Sequence, residues 1–245
     1  MPNLIATQNH DSLVGDSGND TLNAGSLLNV TLNGGDGGND LFIIPGTTQT
    51  TIIGSINGNN TLRSGTSFDL NSTLVSGINN LVYTGTIGAS LTGNGGSGMV
   101  VGGSGNDTLR NAGQGMWQSP GVGSTTLSGG LGNDRYEITN SNVVIMESAA
   151  SLGGNDVVIS SVDYSLLNAR NVEGLILAGD MADLGVGNYG ANAITGNASL
   201  SNTLVGLQGS DTIVGGNGHD LIFGAQASEK LGTVVLSGVD LSGLV

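Results

Sequence analysis

The sequence predicts an all-β fold, a parallel β-roll or β-solenoid built from glycine-rich nine-residue repeats. Three observations carry that reading. A phrase of the form GGxGxDxUx, with U a large apolar residue, recurs along the chain, as in GGSGNDTLR at 102–110. Short strand-forming runs alternate with glycine turns, and no apolar pattern of helical period persists for a useful length. The 245 residues include 45 Gly and only 3 Pro, a turn-forming composition, yet the mean hydropathy of +0.12 is too apolar for a solvated chain. A solenoid reconciles these facts, because each coil is mostly turn while each short strand sends one side chain into a thin continuous core.

Each phrase divides into a glycine turn, an acidic position and a three-residue strand whose middle residue faces inward. Residues 6–14 and 15–23 place Asp11 and Asp20 at the acidic position and Leu13 and Leu22 inward. A degenerate unit follows, with Val30 at the acidic position and Leu32 inward. The frame continues with Asp40 and Phe42, then with Asn60 and Leu62. It returns after residue 83, where Ala89 and Gly98 replace Asp before the intact copy holding Asp107 and Leu109. Met116 and Trp117 break the next step and read as a lateral contact or as a plug at a bend. Asp134 with Tyr136 and Asp156 with Val158 resume the pattern, and Asn192, Asn202, Asp211 and Asp220 hold the last acidic positions. The expected organisation is one continuous solenoid over 1–223, with irregular spacers at about 64–83 and 160–186. A tail over 224–245 is expected to act as a cap, an assembly strand or an export signal.

The charge balance narrows the partners. Nineteen Asp and Glu against five Lys and Arg give a formal net charge of -14, with no basic stripe for nucleic acid. The aspartates concentrate at one repeat position, which solubility alone does not explain and divalent cations do. No apolar run is long enough to span a bilayer. The start, MPNLIATQNH, has no basic region followed by an apolar run, so no cleaved secretory signal is expected there. With no Cys and only His10 and His219, thiolate- or imidazole-bound metals are disfavoured.

If two phrases make one coil, residues about eighteen apart stack on one edge. Asp20, Asp40 and Asn60 step by twenty, Asp134 and Asp156 by twenty-two, Asn192 and Asp211 by nineteen, and Asn202 and Asp220 by eighteen. Stacked carboxylates and loop carbonyls supply the hard oxygens that Ca2+ prefers. The candidate ligands are therefore Asp11, Asp20, Asp40, Asp107, Asp134, Asp156, Asp211, Asp220, Asn60 and Asn202. Asp107 has Ala89 and Thr125 eighteen residues to either side, which would leave its site incomplete. The competing reading is that Asx residues here cap turns or stack in ladders without metal.

The units GGSGNDTLR, GGLGNDRYE, GDSGNDTLN and GGNGHDLIF resemble the RTX, or hemolysin-type calcium-binding, nonapeptide repeats. The resemblance implies a Ca2+-loaded β-roll and a secreted, extracellular or cell-surface protein, typically exported by type I secretion through an uncleaved C-terminal signal. The expected function is a non-enzymatic, calcium-binding structural protein of a surface layer, matrix or filament, forming a homo-oligomer or polymer through solenoid ends. The alternatives are a module that binds cell-surface polysaccharide and a repeat appendage of a secreted enzyme. One Lys, four scattered Arg and two isolated His offer no catalytic cluster, so no enzymatic activity is expected.

Overall fold

The computed structural model describes residues 3–46, 49–55, 57–111, 124–149, 153–224 and 233–235. Met116 and Trp117 lie outside these residues, as does most of the 224–245 tail. The chain forms two compact units, Met1–Gly130 and Leu131–Val245. Nearly all regular structure described in both is short parallel β-strand, the exception being a single 3-10 turn at Leu166–Asn168.

In the first unit, alternate strands stack into two walls. One wall runs Asn3–Ile5, Thr21–Asn23, Leu41–Ile44, Thr61–Ser64, Asn80–Tyr83, Gly98–Val101 and Thr125–Ser128, each parallel to the next. Their middle residues Leu4, Leu22, Phe42, Leu62, Leu81, Val100 and Leu127 stand in register as one column. From Leu22 onward the column is at most 1% exposed. A facing wall stacks Ser12–Val14, Thr31–Asn33, Thr51–Ile53 and Val75–Ser76. The column is thin but dry, and each member contributes about 1.5–3 kcal/mol of burial.

The stretch expected as a spacer at 64–83 is where that facing wall changes. It ends at Val75–Ser76, and a replacement begins at Phe68–Asp69 and continues through Ser90–Thr92 and Thr108–Arg110. The first wall passes this point unbroken, because Asn80–Tyr83 pairs in full register with Thr61–Ser64. Thr125 pairs with Gly98 rather than with Asp107. Coil height is set by backbone contact: Gly38 has a φ of +87, and a Cβ there would lie 2.0 Å from the Gly18 carbonyl one coil below.

The second unit follows the same plan with longer strands. Arg135–Ile138, Val157–Ser165, Gly174–Val186, Ala193–Thr195, Thr212–Val214 and Thr233–Val235 form one parallel path. The stretch expected as a spacer at 160–186 carries the longest strands among the described residues. Its apolar, β-branched runs pair through register shifts at Ser160 to Tyr164. Gly174–Val186 spans both walls: its start pairs with Ala193–Thr195, and its end pairs with Thr203–Val205, which in turn pairs with Leu221–Phe223. Tyr136, Val158, Leu175, Ile194 and Ile213 make its buried column.

Truncating a column residue should be costly in proportion to the void left. Phe42→Ala is expected to lower unfolding stability by about 3–5 kcal/mol. Val144→Ala, at a side chain 44% exposed, should change it by less than about 0.5 kcal/mol. Urea unfolding of the two variants in calcium measures the contrast.

Candidate metal centre

The acidic position of each phrase is the residue immediately before a strand, so the parallel ladder brings these residues one above another. They connect in a fixed direction. The Asp20 amide donates to Asp40 Oδ1 at 2.9 Å, the Asp40 amide to Asn60 Oδ1 at 2.9 Å, and the Asn60 amide to Asn79 Oδ1 at 2.8 Å. In the second unit, Asp134 N donates to Asp156 Oδ1 at 2.7 Å and Asp156 N to Glu173 Oε2 at 2.8 Å. Asn192 N donates to Asp211 Oδ1 at 2.9 Å and Asn202 N to Asp220 Oδ1 at 2.8 Å. The second side-chain oxygen reaches back over its own turn, as when Asp16 N donates to Asp20 Oδ2 at 2.7 Å. Asp20, Asp40, Asp107, Asp134, Asp156 and Asp211 are each no more than 3% exposed.

Those hydrogen bonds leave part of the carboxylate charge unanswered. Asp20 Oδ1, Asp40 Oδ2 and Asp220 Oδ2 are buried with no hydrogen-bond partner. A buried anionic oxygen without a donor costs several kcal/mol, and a cation removes that cost. The first glycine of each phrase makes room for the arrangement. A Cβ on Gly15 would lie 2.2 Å from Asp20 Oδ2 and 2.7 Å from the Gly34 carbonyl; one on Gly34 would lie 2.0 Å from Asp40 Oδ2. Carboxylate and carbonyl oxygens thus converge over the glycine, and neither can donate to the other. This all-oxygen, anionic set fits a hard divalent cation, and Ca2+ above all.

The candidate ligands fall into distinct groups. Asp20 and Asp40 are brought together, as are Asp134 and Asp156. Asp211 and Asp220 each stack on an asparagine, Asn192 and Asn202. Asp107 receives the Ala89 amide at 2.7 Å, and the position it stacks on is thus an alanine rather than a second acid. Asp11 stands apart at the first coil: Val30 and Thr50 hold the corresponding positions in the next two coils of that wall. Its carboxylate accepts from Thr7 N at 2.7 Å and Gln8 N at 3.0 Å, and these bonds hold its pKa below the usual value. Asn60 and Asn202 sit in the ladders as expected, but each turns its amide nitrogen towards the neighbouring carbonyls. Asn60 Nδ2 donates to the Ser55 and Gly77 carbonyls, both at 2.8 Å.

Two acids missed in the sequence join the second unit. Glu147, from the four-residue insertion after Met146, places a carboxylate oxygen within 4.8 Å of those of Asp134 and Asp156. It also accepts a short hydrogen bond from the Tyr136 hydroxyl. Glu173 occupies the acidic position one coil beyond Asp156. The signal for Glu173 was its place directly before the run GLIL, and Glu147 carried none beyond the insertion itself.

Burial pushes the Asp156 carboxyl up to about 6; the Asp134 amide opposes this, and the nearby Glu173 charge adds to it. Asp40 is raised for the same first reason, with the charges of Asp20 and Asp16 contributing. Between the ordinary carboxylate pKa and about 6, the folded chain therefore holds a proton that the unfolded chain releases. Calcium-free stability should rise as pH falls from 7 towards 5 and be lost as pH climbs through 6. Denaturant unfolding in EGTA at the two pH values checks this, and Asp156→Asn should flatten the difference. A separate test targets the glycine cradle. Gly34→Ala should weaken the calcium response of circular dichroism, whereas Gly46→Ala, with nothing within 4 Å of the added methyl, should leave it intact.

Comparison with known families agrees with this geometry. The model of the RTX calcium-binding nonapeptide repeat matches in four copies, over residues 3–26, 91–110 and 198–227. No curated protein matches the chain. The matched stretches contain Asp11, Asp20, Asp107, Asn202, Asp211 and Asp220 at the turn positions described above. The chain thus carries four copies of the RTX calcium-binding nonapeptide repeat.

Proposed function

We propose that the chain is a secreted structural protein whose coils order in extracellular calcium and then join end to end in a surface layer, matrix or filament. Its sites are Asp20 with Asp40, Asp134 with Asp156, Glu147 and Glu173, and Asp211 and Asp220. Asp107 and Asp11 serve as weaker positions. Calcium would supply the positive charge that these buried oxygens lack, so its binding energy becomes folding energy. The chain has no catalytic role in this reading. The cluster found among the described residues, Asp134, Glu147 and Asp156, is entirely acidic.

The observation that carries the reading is the pair of buried, donorless oxygens on Asp20 and Asp40 in one stacked ladder. End-to-end joining draws on the outermost described coils. Among the described residues, Asn3–Ile5 and Ser12–Val14 each pair with one neighbour only, and Ile5 and Val14 are 57% and 59% exposed. In the second unit Leu221–Phe223 is likewise paired on one side among the described residues, with Leu221 and Phe223 53% and 50% exposed. An open strand edge beside exposed apolar side chains invites another strand, and repeated head-to-tail contacts give open filaments.

Titration with calcium should increase the β signal in circular dichroism, with reversal by EGTA, and electron microscopy should then show regular fibres or sheets. Asp20→Asn with Asp40→Asn should lower the number of bound ions. Dispersed particles at millimolar calcium would overturn the assembly role, and a signal indifferent to calcium would overturn the binding role.

A further inference from the structure

The acidic position is occupied in two chemically different ways, and the difference lies in one atom. At Asp20 the side-chain Oδ2 and the Gly34 carbonyl converge over Gly15, oxygen against oxygen. At Asn60 and Asn202 the same convergence occurs over Gly54 and Gly196, but the side chain presents nitrogen. Asn60 Nδ2 bridges the Ser55 and Gly77 carbonyls at 2.8 Å each. Asn202 Nδ2 goes further and lies among four oxygens: Asn197 O at 2.9 Å, Leu200 O at 3.1 Å, Gly215 O at 3.0 Å and Asp220 Oδ1 at 2.8 Å. One buried nitrogen ringed by carbonyls and a carboxylate stands in the relation to them that a small cation would.

Neighbouring asparagines extend this chemistry along the second unit. Asn188 Nδ2 donates to Ala169 O at 2.8 Å and Val172 O at 2.9 Å, and Asn192 Nδ2 to Val172 O at 3.1 Å. Asn197 Nδ2 donates to Gly179 O. Asn188, Asn192, Asn197 and Asn202 are all no more than 6% exposed, and all join successive coils. Their Oδ1 atoms still accept turn amides in the usual way, with Asn188 N donating to Asn192 Oδ1 at 2.7 Å and Asn197 N to Asn202 Oδ1 at 2.8 Å. An amide thus satisfies the turn amide and the cross-coil carbonyls together, which a carboxylate cannot do without help.

The geometry points to a built-in division of the chain into calcium-independent and calcium-dependent coils. The asparagine side chains at 60, 188, 197 and 202 act as covalent substitutes for the ion, while Asn192 turns its Oδ1 over Gly187 beside the Gly206 carbonyl and ties the coil through Nδ2 to Val172 O. The coils between Gly187 and Val205 are therefore closed before calcium arrives and provide an ordered edge on which the aspartate coils beside Asp211 and Asp220 stack. This inference rests on the calcium-binding reading above and specifies which coils that binding controls. A single amide-to-acid change should convert a self-closed coil into one that needs the ion.

Amide hydrogen exchange of the full chain in EGTA tests it. Ala193–Thr195 and Thr203–Val205 should exchange on the order of tenfold or more slowly than Thr21–Asn23 and Leu41–Ile44, and calcium should remove the contrast. Asn202→Asp should abolish the calcium-free protection of Thr203–Val205 and add one ion to the stoichiometry measured by calorimetry. Asn60→Asp provides the same test in the first unit should the Asn202 variant fail to fold. Uniform exchange in EGTA, or variants that alter neither protection nor stoichiometry, would overturn the division. Absence of calcium binding by the wild-type chain would instead overturn the metal reading, and the exchange pattern in EGTA would still decide whether the amide closure exists.

Discussion

The structure depends on a recurring hydrogen bond, in which the amide just before a strand donates to the side chain at the same position one coil on. It pins the turn of one coil to the turn of the next, where the strand ladder itself has ended. A side chain with an acceptor is required, short enough to remain over the turn and rigid enough to aim. Aspartate and asparagine meet that need, and glutamate meets it at residue 173, where the longer side chain reaches back to the Asp156 amide. On the facing wall of the first unit the same position is held first by the buried Val30 and Thr50, and the bond is found there between the Ala89 amide and Asp107.

Much of this was legible from the residues. The inward column was readable because strand side chains alternate, so one apolar residue per nine marks the core: Leu22, Phe42, Leu62, Leu109, Tyr136 and Val158 are all fully buried. The stacking of Asp20 on Asp40 and of Asp134 on Asp156 followed from arithmetic on the repeat length. Other features were invisible for identifiable reasons. The exchange of one wall for another between Thr66 and Ser76 occurs where glycine is sparse and the phrase gives no frame. The partner of Thr125 depended on how many residues its coil contains, which spacing alone could not supply. Glu147 reaches its neighbours from an insertion outside the phrase. Whether an asparagine offers its oxygen or its nitrogen depends on where the carbonyls of the next coil lie.

Mixing aspartate and asparagine at one position resolves a conflict inherent in stacked turns. A column of carboxylates alone would repel itself and stay open without cations, while a column of amides alone would never respond to them. Interleaving lets the same backbone geometry serve both ends. The glycine over which these groups meet tolerates either, because what it provides is space.

The repeated bond also has a direction, and direction matters energetically at only one terminus of a stack. Remove the later member of any pair and a buried amide hydrogen loses its acceptor, a defect proteins almost never tolerate. Remove the earlier member and only a carboxylate lone pair is vacated, which solvent or an ion readily fills. Erosion of such a stack is consequently lopsided: shortening it from the side of the accepting side chain undoes the coil beneath, whereas shortening it from the donating side leaves the remainder whole.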